Sequence, residues 1–102
     1  MPRYLISFKL NSATYPVDPK VAFKMTETNF ALHEQLEKAG IIKETGSFNP
    51  GDGFMIAEFP SFEEAYKLAH RFWPHMTMNI REIISWEKNK EIVMSILREQ
   101  AK

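Results

Sequence analysis

The chain contains no cysteine among its 102 residues. That excludes a disulfide framework, a thiolate nucleophile and any sulfur-ligated metal. It also lacks a run of like charge, with thirteen basic residues against thirteen acidic ones. A nucleic-acid surface needs basic side chains concentrated on one face, so neither DNA nor RNA is an expected partner. No apolar stretch approaches the roughly 20 residues that span a bilayer, and no membrane partner is expected. The opening MPRYLISFKLN enters an alternating pattern directly, without the apolar core of a secretion signal, so a cytoplasmic location is expected. What is present suits a single globular domain: 44% apolar and 25% charged residues. A domain of this size has a modest core, and self-association is a common way to hide further apolar surface.

Residues 3–10, RYLISFKL, put Tyr4, Ile6, Phe8 and Leu10 on one face and Arg3, Leu5, Ser7 and Lys9 on the other, the period of a strand. Asp18-Pro19 then suits a helix opening, with Asp18 accepting from free amides and Pro19 at the first helical position. The helix predicted from there to Ala39 buries a stripe of Val21, Met25, Leu32 and Leu36, and Gly40 ends it. IIKETGSF and FMIAEF, joined by PGDG, predict a hairpin. Gly51 and Gly53 belong to that turn rather than to a phosphate loop, because no helix start follows them. Ser61 and Glu64 form a capping-box pattern before a second helix. Its expected inward residues are Phe62, Ala65, Tyr66, Ala69, Phe72 and Trp73, with Pro74 as the stop. MTMNIREIIS predicts a fourth strand, and an amphipathic helix is expected from about Glu87 to Ala101.

The order strand, helix, strand, strand, helix, strand is the ferredoxin-like α+β plan: a four-stranded antiparallel sheet with two helices on one face. Residues 1–86 form this domain, and 87–102 a C-terminal helix expected to dock on the core or on a neighbouring subunit. The sheet's other face receives no helix from these two. Period two places Ser7, Lys9, Thr77, Asn79, Arg81, Ile83 and Ser85 there, while the side taken by Glu58 is left open. A face mixing Leu5 and Ile83 with serine, asparagine and charge suits a pocketed interface.

The chain from Met1 to about Lys88 resembles the dimeric α+β barrel proteins, and among them the muconolactone isomerase family. The resemblance rests on FKL at 8–10, PVDP at 16–19, HEQLEKAG at 33–40, FPSFEEA at 59–65 and Trp73-Pro74-His75-Met76. A related domain family of unknown function, with a similar Gly-Ser-aromatic hairpin and acidic third strand, matches nearly as well. The resemblance implies that two chains close their bare sheet faces into a barrel, with a ligand cavity within it or between sheet and helices. It also implies proton transfer on a small lactone without metal or cofactor. Of the charged residues on strands bordering such a cavity, only Lys9 matches; no complete acid–base set carries over.

The residues themselves offer one pair for this chemistry. Lys9 and Glu58 stand on neighbouring strands, where a carboxylate base and a cation stabilising developing negative charge could meet; the plainer role is a structural ion pair. Arg81 offers an alternative clamp for a carboxylate. Ser7, Asn79, Trp73 and His75 are the remaining expected substrate contacts, His75 because it stands at the joint between the second helix and fourth strand. His33 and His70 read as surface imidazoles, and the three histidines share no metal-ligand spacing. Haem-degrading members of the wider superfamily that the chain resembles use an asparagine, a tryptophan and a histidine around the cavity; Asn11, Trp73 and His70 are of those types, but their local spacing does not match, and no cofactor is expected. Phe23 and Phe30, seven residues apart on helix one, and Ile92 and Ile96 on the last helix are expected contacts with a second subunit. The functional expectation is a homo-oligomer with a small-molecule pocket, with a cofactor-free isomerase as its catalytic form. The alternatives are a non-catalytic ligand-binding or assembly protein of this fold and a cofactor-independent monooxygenase.

Overall fold

The computed structural model describes residues 1–72 and 75–102. Trp73 and Pro74, expected as pocket wall and helix stop, lie outside the described residues. The elements run β1 (Arg3–Leu10), α1 (Pro19–Lys38), β2 (Ile42–Asn49), β3 (Asp52–Glu58), α2 (Phe62–His70), β4 (Met76–Ile83) and α3 (Trp86–Gln100). All strand pairs are antiparallel, in the order β2-β3-β1-β4. This is the expected ferredoxin-like α+β arrangement with a C-terminal helix.

Local chemistry accounts for the boundaries. Asp18 Oδ1 accepts from the Lys20 amide at 2.9 Å, and Pro19 occupies the first helical position of α1. Gly40 follows the helix with φ +75°, where a Cβ would be strained. The β2–β3 hairpin turns through Pro50-Gly51, with Asn49 opposite Asp52 and Gly51 at φ +78°. A proline followed by a left-handed glycine is what a type II turn requires. Ser61 Oγ accepts from the Glu64 amide at 3.3 Å and opens α2.

The core lies between the sheet and α1 and α2, with α1 over β2 and α2 over β4. Tyr4 and Ile6 from β1, Met55 and Ala57 from β3, Leu36 from α1 and Leu68 from α2 meet there. Three sequence expectations are corrected. The inner side of α2 carries Ala65, Leu68 and Ala69, with Phe72 just beyond, while Phe62 and Tyr66 are exposed. These two rings lie along the flank instead, Phe62 tilted against Tyr4 and Tyr66, and Tyr66 stacked on His70, at centroid distances of 6.3–6.4 Å. Val21 is exposed and outside the α1 stripe. The fourth strand stops at Ile83, so Ser85 does not join the sheet face; its Oγ caps α3 by accepting from the Lys88 amide at 3.0 Å.

No residue of α3 is buried. The chain accordingly measures 64 × 29 × 23 Å, with a radius of gyration of 17.4 Å; a compact domain of about 100 residues has roughly 13 Å. The helix extends from the body instead of packing on it.

Candidate functional site

The pleat decides which side chains share the uncovered face of the sheet. On β1, Arg3, Leu5, Ser7 and Lys9 point there, since Tyr4 and Ile6 face the core. The β1–β3 register sets Arg3 opposite Glu58, Leu5 opposite Ile56, Ser7 opposite Phe54 and Lys9 opposite Asp52. The β1–β4 register adds Ile83, Arg81, Asn79 and Thr77 in the same order. Glu58 therefore belongs to this face, which resolves the parity left open by the sequence.

The same register separates the expected catalytic pair. Glu58 is at the end of the sheet bearing Arg3, and Lys9 is six residues further along, about 20 Å away at strand rise. Glu58 Oε2 instead forms ion pairs with two cations, Arg3 Nε and Lys43 Nζ, each at 3.6 Å. Its side chain is 19% exposed, and the contact ties β1 and β2 to β3 between them. A pairing of Lys9 with Glu58 is thus corrected: neighbouring strands are necessary for two side chains to meet, but equal register position is also required.

The carboxylate that does stand across from Lys9 is Asp52, half-buried at the start of β3. Around them lies a shallow depression of about 310 Å³ lined by Ser7, Phe8, Lys9, Asp52, Thr77, Met78 and Asn79. Thr77 Oγ1 donates to the Lys9 carbonyl at 3.2 Å, and Ser7 stands directly across from Asn79. One ammonium, one carboxylate, two hydroxyls and one amide are thereby brought to one end of the face. A carboxylated ligand could be held by Lys9 and by the neutral donors, leaving Asp52 as the one acidic group beside it. Next to this polar end the face becomes apolar. Leu5, Phe54 and Ile56 are half-buried, and Phe48 stacks on Phe54 at 5.6 Å.

Of the expected substrate contacts, Ser7 and Asn79 line the depression together with Lys9. Arg81 stands opposite Leu5, two positions from Asn79, on the same face but outside the depression. His75 is engaged elsewhere: its Nδ1 lies 3.1 Å from the Thr14 carbonyl, while the Asn11 amide donates to the His75 carbonyl at 2.8 Å. The histidine thus pins the β1–α1 loop to the joint before β4, which is a structural task. Phe23 and Phe30 are 70% and 64% exposed, and Ile92 and Ile96 are 42% and 52% exposed, among the described residues.

Two residues of consequence escaped the sequence reading. Asp52 reads as a turn residue in PGDG, and only the β1–β3 register shows its partner. His33 is the partly exposed imidazole expected at the margin of α1, but its surroundings were not expected: Nδ1 is 3.2 Å from Glu37 Oε1, and Nε2 is enclosed without a hydrogen-bond partner. Among the described residues no group of three or more His, Asp or Glu side chains is placed to hold a metal ion, and no helix is long and apolar enough to cross a membrane. No protein-family model matches the chain, and no curated protein matches it. The likeness to the muconolactone isomerase family consequently extends to a compatible fold and gains no relative in support.

Proposed function

We propose that this chain is a homo-oligomeric small-molecule protein in which a second copy closes over the open sheet face and encloses a small carboxylated ligand at its Lys9–Asp52 end. The observation that carries this reading is the convergence of Ser7, Lys9, Asp52, Thr77 and Asn79 on one depression, bordered by half-buried apolar side chains. A partner sheet about 10 Å away would exclude water from such a face and strengthen every polar contact inside it.

In its catalytic form the protein is a cofactor-free isomerase of the muconolactone type. Asp52 removes a proton next to the substrate's carbonyl, Lys9 stabilises the negative charge that moves onto oxygen, and the proton is returned at a second carbon. Asp52 here takes the part expected of Glu58. The non-catalytic binding reading is favoured by one observation of its own: Lys9 is exposed in the single chain, so the site is complete only as a ligand cradle until a second copy covers it.

Native mass spectrometry of freshly purified protein tests the proposal. The expected result is a dimer or a multiple of dimers that retains a small acid, with retention lost in Lys9→Met and Asp52→Asn while the oligomer persists. A bare monomer overturns it. Incubating the retained acid with the protein in D₂O separates the two forms, because proton transfer introduces deuterium into it and simple binding does not.

A further inference from the structure

We infer that α3 is an exchange arm: it docks on the second copy of this chain, and that contact is what raises the pairing of sheet faces to a stable dimer. The inference rests on the proposed face-to-face pairing. Four strands of eight residues at most present a footprint of about 19 × 27 Å, roughly 500 Å² per chain. Stable specific interfaces bury about 800 Å² per partner. The sheet alone falls short. A fifteen-residue helix is about 22 Å long and covers roughly 200 Å² along one side. In a two-fold exchange each chain contributes its own arm and receives the other, which brings the interface to about 900 Å² per chain.

The arm has the features such a contact needs. Ile92, Val93, Ile96 and Leu97 form an apolar side, and every one of them is exposed. Ile83, Ile84 and Trp86, also exposed, continue that apolar surface from the open sheet face to the start of the helix. A helix of this length is marginal alone in water, so its formation depends on being covered. Its charge selects the cover. Residues 86–102 hold four basic and three acidic side chains, and Lys88–Glu91 and Lys102–Glu99 pair within this segment at 3.5 and 3.1 Å. A membrane-surface helix carries a strong excess of Lys and Arg, and four basic against three acidic side chains is not one; a protein surface fits better. Because the sheet face beside it already needs a second copy, the same copy supplies that surface.

The test uses sedimentation equilibrium of the full chain, of Ile92→Lys/Ile96→Lys and of a deletion of residues 86–102. The double variant keeps helix-forming side chains and guards against loss of fold in the deletion. Both are expected to dissociate at concentrations at least tenfold higher than the wild type. The absence of cysteine allows a second readout: an environment-sensitive dye on Gln100→Cys should change emission over the concentration range in which the dimer forms. Unchanged association in both α3 variants, or a dye blind to association, overturns the inference. Ile56→Lys on the sheet face distinguishes the two levels. If it alone breaks the dimer, the sheet pairing stands and the arm does not; if only the α3 variants break it, α3 meets the second copy but the sheet pairing falls, and with it the inference as stated. A wild type that is monomeric throughout overturns both.

Discussion

At the scale of single residues, register rather than residue type decides roles. Glu58 and Asp52 are both carboxylates on the same face of β3, yet one is held by Arg3 and Lys43 while the other faces Lys9 across the strands. Glu58→Gln is therefore expected to leave ligand retention intact and to cost at most about 1 kcal/mol in urea unfolding, because both cations reach solvent. Asp52→Asn should do the reverse. Tyr4 offers a pH test. Burial first, and the Glu82 carboxylate second, raise its hydroxyl above the ordinary value of 10.0. Its contribution to stability is complete below about pH 10, where both folded and unfolded tyrosine are neutral. As pH rises further the unfolded chain ionises first, so the contribution is lost up to the raised folded value. Urea unfolding between pH 9 and 11 should show a decline that is shallower in Tyr4→Phe.

At the scale of elements, close backbone approach holds the β2–β3–β1 ladder together. A Cβ on Gly53 would meet the Gly46 carbonyl and stand 2.9 Å from Phe8 Cζ. The first of these is backbone in a neighbouring strand and cannot move without opening the ladder. Gly53→Ala should destabilise by about 1–3 kcal/mol, the range for overpacking a tight site, and lower the melting temperature by several degrees per kcal/mol. Gly46 differs, since its Cβ would meet the Phe54 ring at 2.6 Å, and an aromatic side chain on an open face can rotate aside. At the head of α1, Asp18→Ala should cost about 1 kcal/mol and Asp18→Asn almost nothing, since asparagine keeps an oxygen for the Lys20 amide.

At the scale of the whole molecule, an uncovered sheet and an uncovered helix belong to one chain. The 64 Å long axis comes from α3 standing off the body, and the proposed second copy would cover it. Ile56→Lys, which puts a charge at the centre of the open face opposite Leu5, is expected to abolish self-association while leaving the monomer folded. Circular dichroism and sedimentation would show both. Loss of fold instead of loss of association would mean that the face is held by its own chain.

Much of this was legible in the sequence by itself. Period two, the Asp18-Pro19 opening, the Pro50-Gly51 turn and the Ser61 cap act within a few residues, and local sterics and hydrogen bonds bring the same element order out of them wherever they occur. The alternation of β1 likewise placed Ser7 and Lys9 on the open face before any neighbour was known. Which residue faces Lys9 was not legible, because α1 and β2 separate β1 from β3 and no short turn sets their register. The burial of Leu68 rather than Tyr66 and the engagement of His75 with Thr14 were hidden for the same reason. Those outcomes depend on how distant segments fill one core, and a core is settled by all its surfaces together rather than by any stretch of chain alone.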